Sequence, residues 1–248
     1  MYKSLVEINF FECDALIIFF HEWDWAVKAG KSFKINYPNG NLIYSRDTRP
    51  FTNRDKFNSV EPILITKTYS TTQFFLDIQA DELRLEDTPP QQILNKIFRD
   101  LDRMAEALSM CKNDYLIYME ADSYVNSRIP IPIYGDMDSL EANKYPKKIL
   151  DFVDSIGSKD FPLTGWGFVT APIKVKAGFR LIEWAHQNKK VIFEMIKIDP
   201  FIAYLDYFAP IFMHLSGGQV YNSGAVGECK RDKKWKRKNY ALLHQYRF

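Results

Sequence analysis

Hydrophobic residues along the chain fall into two periods. Ala15, Leu16, Ile17, Ile18, Phe19 and Phe20 form a short, unbroken apolar run that stops at polar His21 and Glu22. Such a run predicts a strand buried on both faces of a parallel sheet, with function at its carboxyl end. A second strand is predicted over 41–45, after the turn-forming Pro38-Asn39-Gly40, and it leads into Arg46-Asp47-Thr48. The apolar stretch 62–66 is a third, less marked strand signal. Between Pro90 and Met110 the period changes. Ile93, Leu94, Ile97, Phe98, Leu101, Met104, Ala105 and Leu108 recur at helical spacing and make one apolar stripe. Thr88, Pro89 and Gln91 predict a capping box with proline in the first turn. Over 115–119 the chain reads as a strand again, and this one ends in Glu120-Ala121-Asp122.

A helix followed by a strand with carboxylates at its tip is half of a doubly wound α/β sheet, where ligands bind outside the carboxyl ends of the strands. Later segments are less regular. Helical pattern returns over 176–187 and after Asp199-Pro200, while Ser216-Gly217-Gly218 and Asn222-Ser223-Gly224 read as loops. No internal repeat or low-complexity linker interrupts the chain.

Composition narrows the class. With 46% hydrophobic and 26% charged residues over 248 positions, the chain has the means to bury a large core and is not of the disordered type. A net charge of +2 gives no reason to expect a nucleic-acid partner. The three cysteines, Cys13, Cys111 and Cys229, lie far apart without zinc-ligand spacing, which fits a reducing, cytoplasmic compartment. The run ending at Phe20 is too short to span a bilayer and follows acidic Glu7, Glu12 and Asp14, so neither an anchor nor a secretory signal is expected.

Chemistry is concentrated at the strand end. Glu120 and Asp122, one residue apart where the chain leaves the sheet, have the spacing to reach one hard cation, manganese or magnesium, which in turn binds diphosphate oxygens. Here the chain resembles the GT-A superfamily of nucleotide-sugar-dependent glycosyltransferases, whose acidic DXD signature ends a central strand in this way. The resemblance implies a single GT-A domain over 1–248, a Rossmann-like, mostly parallel sheet flanked by helices. Its nucleotide half would span about 1–125 and its acceptor half about 126–248. It also implies that Asp122 is the principal metal ligand, with Glu120 beside it and Ala121 at the nucleotide. The Glu120 position departs from the usual aspartate.

Further features follow in the family's order. Gly165-Trp166-Gly167-Phe168 resembles the loop lining the donor-sugar and acceptor pocket, where glycine admits a close sugar and an indole face stacks on it. Leu205-Asp206-Tyr207 resembles the acidic site whose carboxylate deprotonates the acceptor in inverting members, with a plain helix cap as the alternative reading. His244 falls where many members place a histidine that completes the metal shell. By position, His21 and Asp47 are the residues expected at base and ribose, and Asn95 and Arg99 share a helix face turned to the nucleotide or to water. The basic run holding Lys230, Lys234 and Lys236 is read as a loop closing over the diphosphate, with peripheral contact to anionic lipid as the competing reading.

The expected donor is a UDP-sugar, with GDP- and dTDP-sugars as alternatives, and the expected acceptor is a glycan hydroxyl, free or linked to lipid or protein. Two other classes compete. A sugar-nucleotide nucleotidyltransferase would carry a Gly-rich loop after the first strand, where this chain has His21-Glu22-Trp23-Asp24-Trp25. A non-catalytic polyanion-binding module would rely on the basic run alone.

Overall fold

The computed structural model describes residues 12–19, 23–48, 73–79, 85, 87–129, 135–140, 143–157, 160–168, 171–228 and 241–244. The first apolar run forms strand β1 (Cys13–Phe19), whose Ala15, Leu16 and Ile17 are wholly buried. Helix α1 (Trp23–Asn36) follows, then β2 (Leu42–Thr48) and β3 (Gln73–Gln79). The long periodic segment is α2 (Pro90–Ser109), leading into β4 (Tyr115–Glu120). Short strands β5 (Tyr124–Val125), β6 (Met137–Asp138) and β7 (Asn143–Lys144) precede α3 (Lys147–Ser155). The chain continues through β8 (Gly165–Trp166), β9 (Ala171–Lys174), α4 (Val175–Gln187), α5 (Lys189–Ile198) and a 3-10 turn (Pro200–Ala203). It closes with α6 (Leu205–Leu215), β10 (Val220–Tyr221), β11 (Val226–Glu228) and β12 (Leu242–His244).

Seven strands form the main sheet in the order β10-β6-β9-β4-β1-β2-β3. β1 pairs parallel with both β2 and β4, and β2 pairs parallel with β3. Only β9 opposes its neighbours, lying antiparallel to β4 and β6, and β10 is parallel to β6. This is the mixed α/β, mostly parallel sheet flanked by helices that the sequence predicts. β1 and β4 are buried along most of their length, so their apolar runs are what the architecture requires. α1 packs on β1, while α2 meets α4, α5 and the 3-10 turn. The α2 stripe is buried at Ile93, Leu94, Ile97, Leu101, Met104 and Leu108.

Three departures from the sequence reading stand out. No capping box starts α2: the cap residue is Pro89, no side chain caps the helix, and Pro89 O instead accepts from the N–H of Gln92 and Ile93. Two prolines hold φ near the helical value, so the start is set by ring constraint rather than by a hydroxyl. α1, for which the sequence reading gave no element, buries Ala26, Val27, Ala29 and Phe33 together with the polar Ser32 and Lys34. The pattern after Asp199 divides into the 3-10 turn, capped by the Asp199 carboxylate on Phe201 N–H, and then α6. The stretch 62–66 lies outside the described residues. Among the described residues no helix is long and apolar enough to cross a membrane.

The amino-terminal edge of the sheet is held by buried polar groups. Asp14, wholly buried, accepts four hydrogen bonds: from the N–H of Asn41, Lys112 and Asn113 and from the Asn113 side-chain amide. One carboxylate thereby ties β1 to the turns that precede β2 and β4. Beside it the buried Lys34 ammonium donates to Pro38 O and Gly40 O. Burial, with a smaller push from Lys112, lowers its pKa to about 8. Gly40 is required by space, since a Cβ there would lie 2.0 Å from Cys13 O.

Candidate active site

At the other edge, β4 leaves the sheet at Glu120. Ser123 closes the turn: its N–H donates to Glu120 O and its hydroxyl accepts from Glu120 N–H, both at 3.0 Å. A buried serine thus uses both its groups to fix the backbone of Glu120-Ala121-Asp122 at the strand tip.

His244 reaches this turn through a chain of supports rather than by sequence proximity. Ser32 and Asn36 on α1 hold the two backbone groups of Val125, the serine hydroxyl accepting its N–H at 2.9 Å and the asparagine amide donating to its O at 3.0 Å. β5, so fixed, pairs antiparallel with β12, Leu242 opposite Val125 and Leu243 opposite Tyr124. β11 flanks β12 on its other side, with Glu228 opposite His244. This small sheet sets the His244 imidazole against the acidic turn.

The result is a three-residue cluster. His244 Nε2 lies 3.2 Å from Glu120 Oε2 and 3.7 Å from Asp122 Oδ1. One ligand atom from each of Glu120, Asp122 and His244 falls within 4.8 Å of the others. Exposure is graded, 47% for the Glu120 side chain, 25% for Asp122 and 10% for His244, so the cluster opens to solvent on the Glu120 side. The two separations from His244 match the edges of a coordination shell around an ion bound at about 2.0–2.3 Å. Two carboxylates suit a hard cation, and one imidazole adds a ligand that transition metals accept more readily than magnesium.

Asp206 stands close enough to feel this charge. It lies in the first turn of α6, whose cap residue is Tyr204. Burial, and next the Glu120 carboxylate, raise its pKa from 3.8 to about 6, opposed by His244 and by Lys96. The Asp206 carbonyl accepts from Phe168 N–H at 3.1 Å, which ties the α6 start to the glycine-tryptophan loop. That loop is tightly built. Leu140 N–H donates to Gly167 O at 2.9 Å, and a Cβ on Gly167 would sit 2.1 Å from Leu140 O, so only glycine fits. The half-buried Trp166 ring packs 5.1 Å from that of Tyr207, centroid to centroid. Tyr207 is itself fixed, donating its hydroxyl to Asp199 Oδ2 at 2.7 Å.

Lys96 is a site neighbour that sequence reading did not single out. From α2 it donates to Asp100 Oδ2 and to Ala203 O, each at 2.7 Å, and so clamps the turn that leads to Asp206. One lysine at the margin of a helical stripe carries no signal of that task in sequence.

The remaining candidates divide by position. Ala121 is buried within the turn, and Gly165 begins the loop as part of β8. Asn95 lies on the exposed face of α2, where its side-chain oxygen accepts from Gln91 at 3.1 Å, and Arg99 is half-buried one turn on. Asp47 sits at the carboxyl end of β2, opposite Ile78, and its side chain lies outside the described residues. His21, Lys230, Lys234 and Lys236 also lie outside them. A cavity of about 480 Å³, lined by Gly135, His214, Gly218 and Tyr221 among others, opens near the starts of β6 and β10, at the opposite edge of the sheet. Among the described residues, the clustered metal-ligand set is that of Glu120, Asp122 and His244, away from this cavity.

Fold and site together define a class: a mostly parallel α/β sheet with a carboxylate–imidazole cluster outside the carboxyl end of a central strand. The sequence matches no family model and no curated relative. Among solved structures, the chain is similar to the crystal structure of an active-site mutant of LgtC. They share 12% sequence identity with a TM-score of 0.45, over 94% of this chain and 86% of that one. At this level the likeness is one of chain course, and the chemistry is read from the site itself.

Proposed function

We propose that the protein is a metal-dependent glycosyltransferase that moves a sugar from a nucleoside-diphosphate sugar, a UDP-sugar by preference, to an acceptor hydroxyl. The observation that carries this reading is the convergence of Glu120, Asp122 and His244, from two distant parts of the chain, at the carboxyl edge of the sheet. In such sheets this edge is where nucleotides bind. Support also comes from Asp206, a carboxylate with a raised pKa beside that cluster and beside an aromatic, glycine-bearing loop.

In this reading Asp122, His244 and Glu120 hold manganese or magnesium. A bound cation would supply charge that neutralises the departing diphosphate. Asp206 takes the acceptor proton if the reaction inverts the anomeric centre. A pKa of about 6 makes it a stronger base than a surface carboxylate while leaving it mostly ionised at neutral pH. Trp166 and the backbone at Gly167 border the place where the sugar enters, and the rigid contacts of that loop keep it preorganised.

A thermal-shift experiment with UDP-sugars, with and without manganese, tests the assignment. A donor at about a hundred times its Kd stabilises the protein by roughly 2.7 kcal/mol. The expected result is stabilisation that needs both manganese and the donor, and Asp122→Ala abolishes the manganese-dependent part. Donor binding that ignores manganese, or survives unchanged in Asp122→Ala, overturns the assignment.

A further inference from the structure

Five large hydrophobic residues are exposed among those described: Ile35, Ile156, Phe179, Phe201 and Tyr204. Single exposed apolar side chains are ordinary on protein surfaces. Two of these are different because they adjoin. Phe201 is 53% exposed and Tyr204 41%, and their ring centroids are 6.1 Å apart at an interplanar angle of 42°. Both belong to the turn between α5 and α6, and Tyr204 is the residue on which α6 begins, two positions before Asp206.

The turn is rigid. Tyr204 N–H donates to Phe201 O, and Tyr204 O accepts from the N–H of Tyr207 and Phe208. Lys96 fastens it from α2 through Ala203 O and places its ammonium 5.7 Å from the Tyr204 ring centroid. Two exposed rings are therefore held at fixed spacing on the turn that leads into Asp206, with the Lys96 ammonium over the Tyr204 ring. Water gains nothing from that arrangement, whereas a pyranose does: its C–H face stacks on an aromatic ring and its hydroxyls bond to charged groups at the rim. Lys96 and Asp100 supply such groups, joined at 2.7 Å.

Local charge argues against a bilayer as the occupant. The Lys96 ammonium beside the rings is matched by Asp100 and is not free to meet anionic lipid. We infer that Phe201 and Tyr204 form an acceptor platform, on which one sugar ring of a carbohydrate acceptor stacks while an adjoining hydroxyl is presented to Asp206. The acceptor is then a glycan of at least two residues. This rests on the transferase reading above and adds to it the residues that select the acceptor and its least length.

Saturation-transfer NMR of the full chain with unlabelled lactose, maltose, cellobiose and chitobiose tests the platform without turnover. At least one disaccharide gives a signal with the wild type. The Phe201→Ala/Tyr204→Ala double variant binds it about tenfold more weakly, and Phe201→Trp/Tyr204→Trp retains it. Manganese-dependent stabilisation by UDP-sugar is the same in all three proteins. Equal signals in the alanine variant, or no signal from any disaccharide with the wild type, overturn the platform. So does co-sedimentation with phosphatidylglycerol vesicles that the alanine variant loses. If UDP-sugar and manganese fail to stabilise the wild type while the disaccharide signal still depends on the two rings, the transferase reading falls and a carbohydrate site remains.

Discussion

The two edges of the central sheet treat their acidic residues in opposite ways. At the amino-terminal edge, Asp14 is wholly buried and meets four donors, and Lys34 next to it is buried against two carbonyls. At the carboxyl edge, Glu120 and Asp122 meet at one imidazole, and burial, with a further push from the Glu120 carboxylate, raises the pKa of Asp206. The first arrangement satisfies a buried carboxylate completely and so stabilises the fold. The second leaves negative charge in excess, which is unfavourable until a cation or a proton arrives. This contrast supports the metal-site reading proposed above.

The largest expected effect breaks the stable edge. Asp14→Ala strands four donors in the interior and is expected to lower unfolding free energy by about 3–5 kcal/mol in urea denaturation. Asp122→Ala, measured without divalent metal, is expected to stay within about 1 kcal/mol of wild type. Equal losses for the two variants would erase the contrast between the edges.

Next in size is a pH effect at Asp206. A carboxyl whose native pKa is raised to about 6 binds its proton more tightly folded than unfolded. Its contribution to stability is therefore present below about pH 4 and lost as pH rises through about 6. In EDTA, the stability of wild type relative to Asp206→Asn is expected to fall by roughly 1–2 kcal/mol between pH 4 and pH 7. A difference that is flat with pH would mean that Glu120 and burial do not act on Asp206 in this way.

The smallest effect sharpens the comparison at a neutral residue. Ser123→Ala removes the hydroxyl that accepts from Glu120 N–H. It is expected to cost about 1 kcal/mol of stability and to weaken manganese affinity about tenfold in a calorimetric titration. Unchanged affinity would show that the turn holds its shape without the serine.

Much of this was legible from residue order alone. β1 and β4 could be read because strands buried on both faces demand unbroken apolar runs, β2 because a Pro-Asn-Gly turn precedes it, and α2 because a helix covering a core demands a stripe. The same pattern located Glu120 and Asp122, since a run that ends in carboxylates marks where a strand leaves the sheet. Two features of α1 hid it: its buried face mixes Ala26, Ala29 and Phe33 with the polar Ser32 and Lys34, and those two polar groups find their partners outside the helix, Ser32 at Val125 and Lys34 at Pro38 and Gly40. The capping box failed for a local reason, because adjacent prolines had already set the first turn of α2.

Sequence alone therefore determined the parallel α/β layering and the acids at the central strand tip, because burial on two faces and at helical period writes itself into hydrophobic spacing. The family resemblance already set His244 beside the acids, but tertiary structure alone decided the strand pairing that brings it there, that Lys96 clamps the turn before Asp206, and that Phe201 and Tyr204 stand exposed together. Those facts depend on strand pairing and on hydrogen bonds between segments far apart in sequence, and no periodicity of a single segment records them.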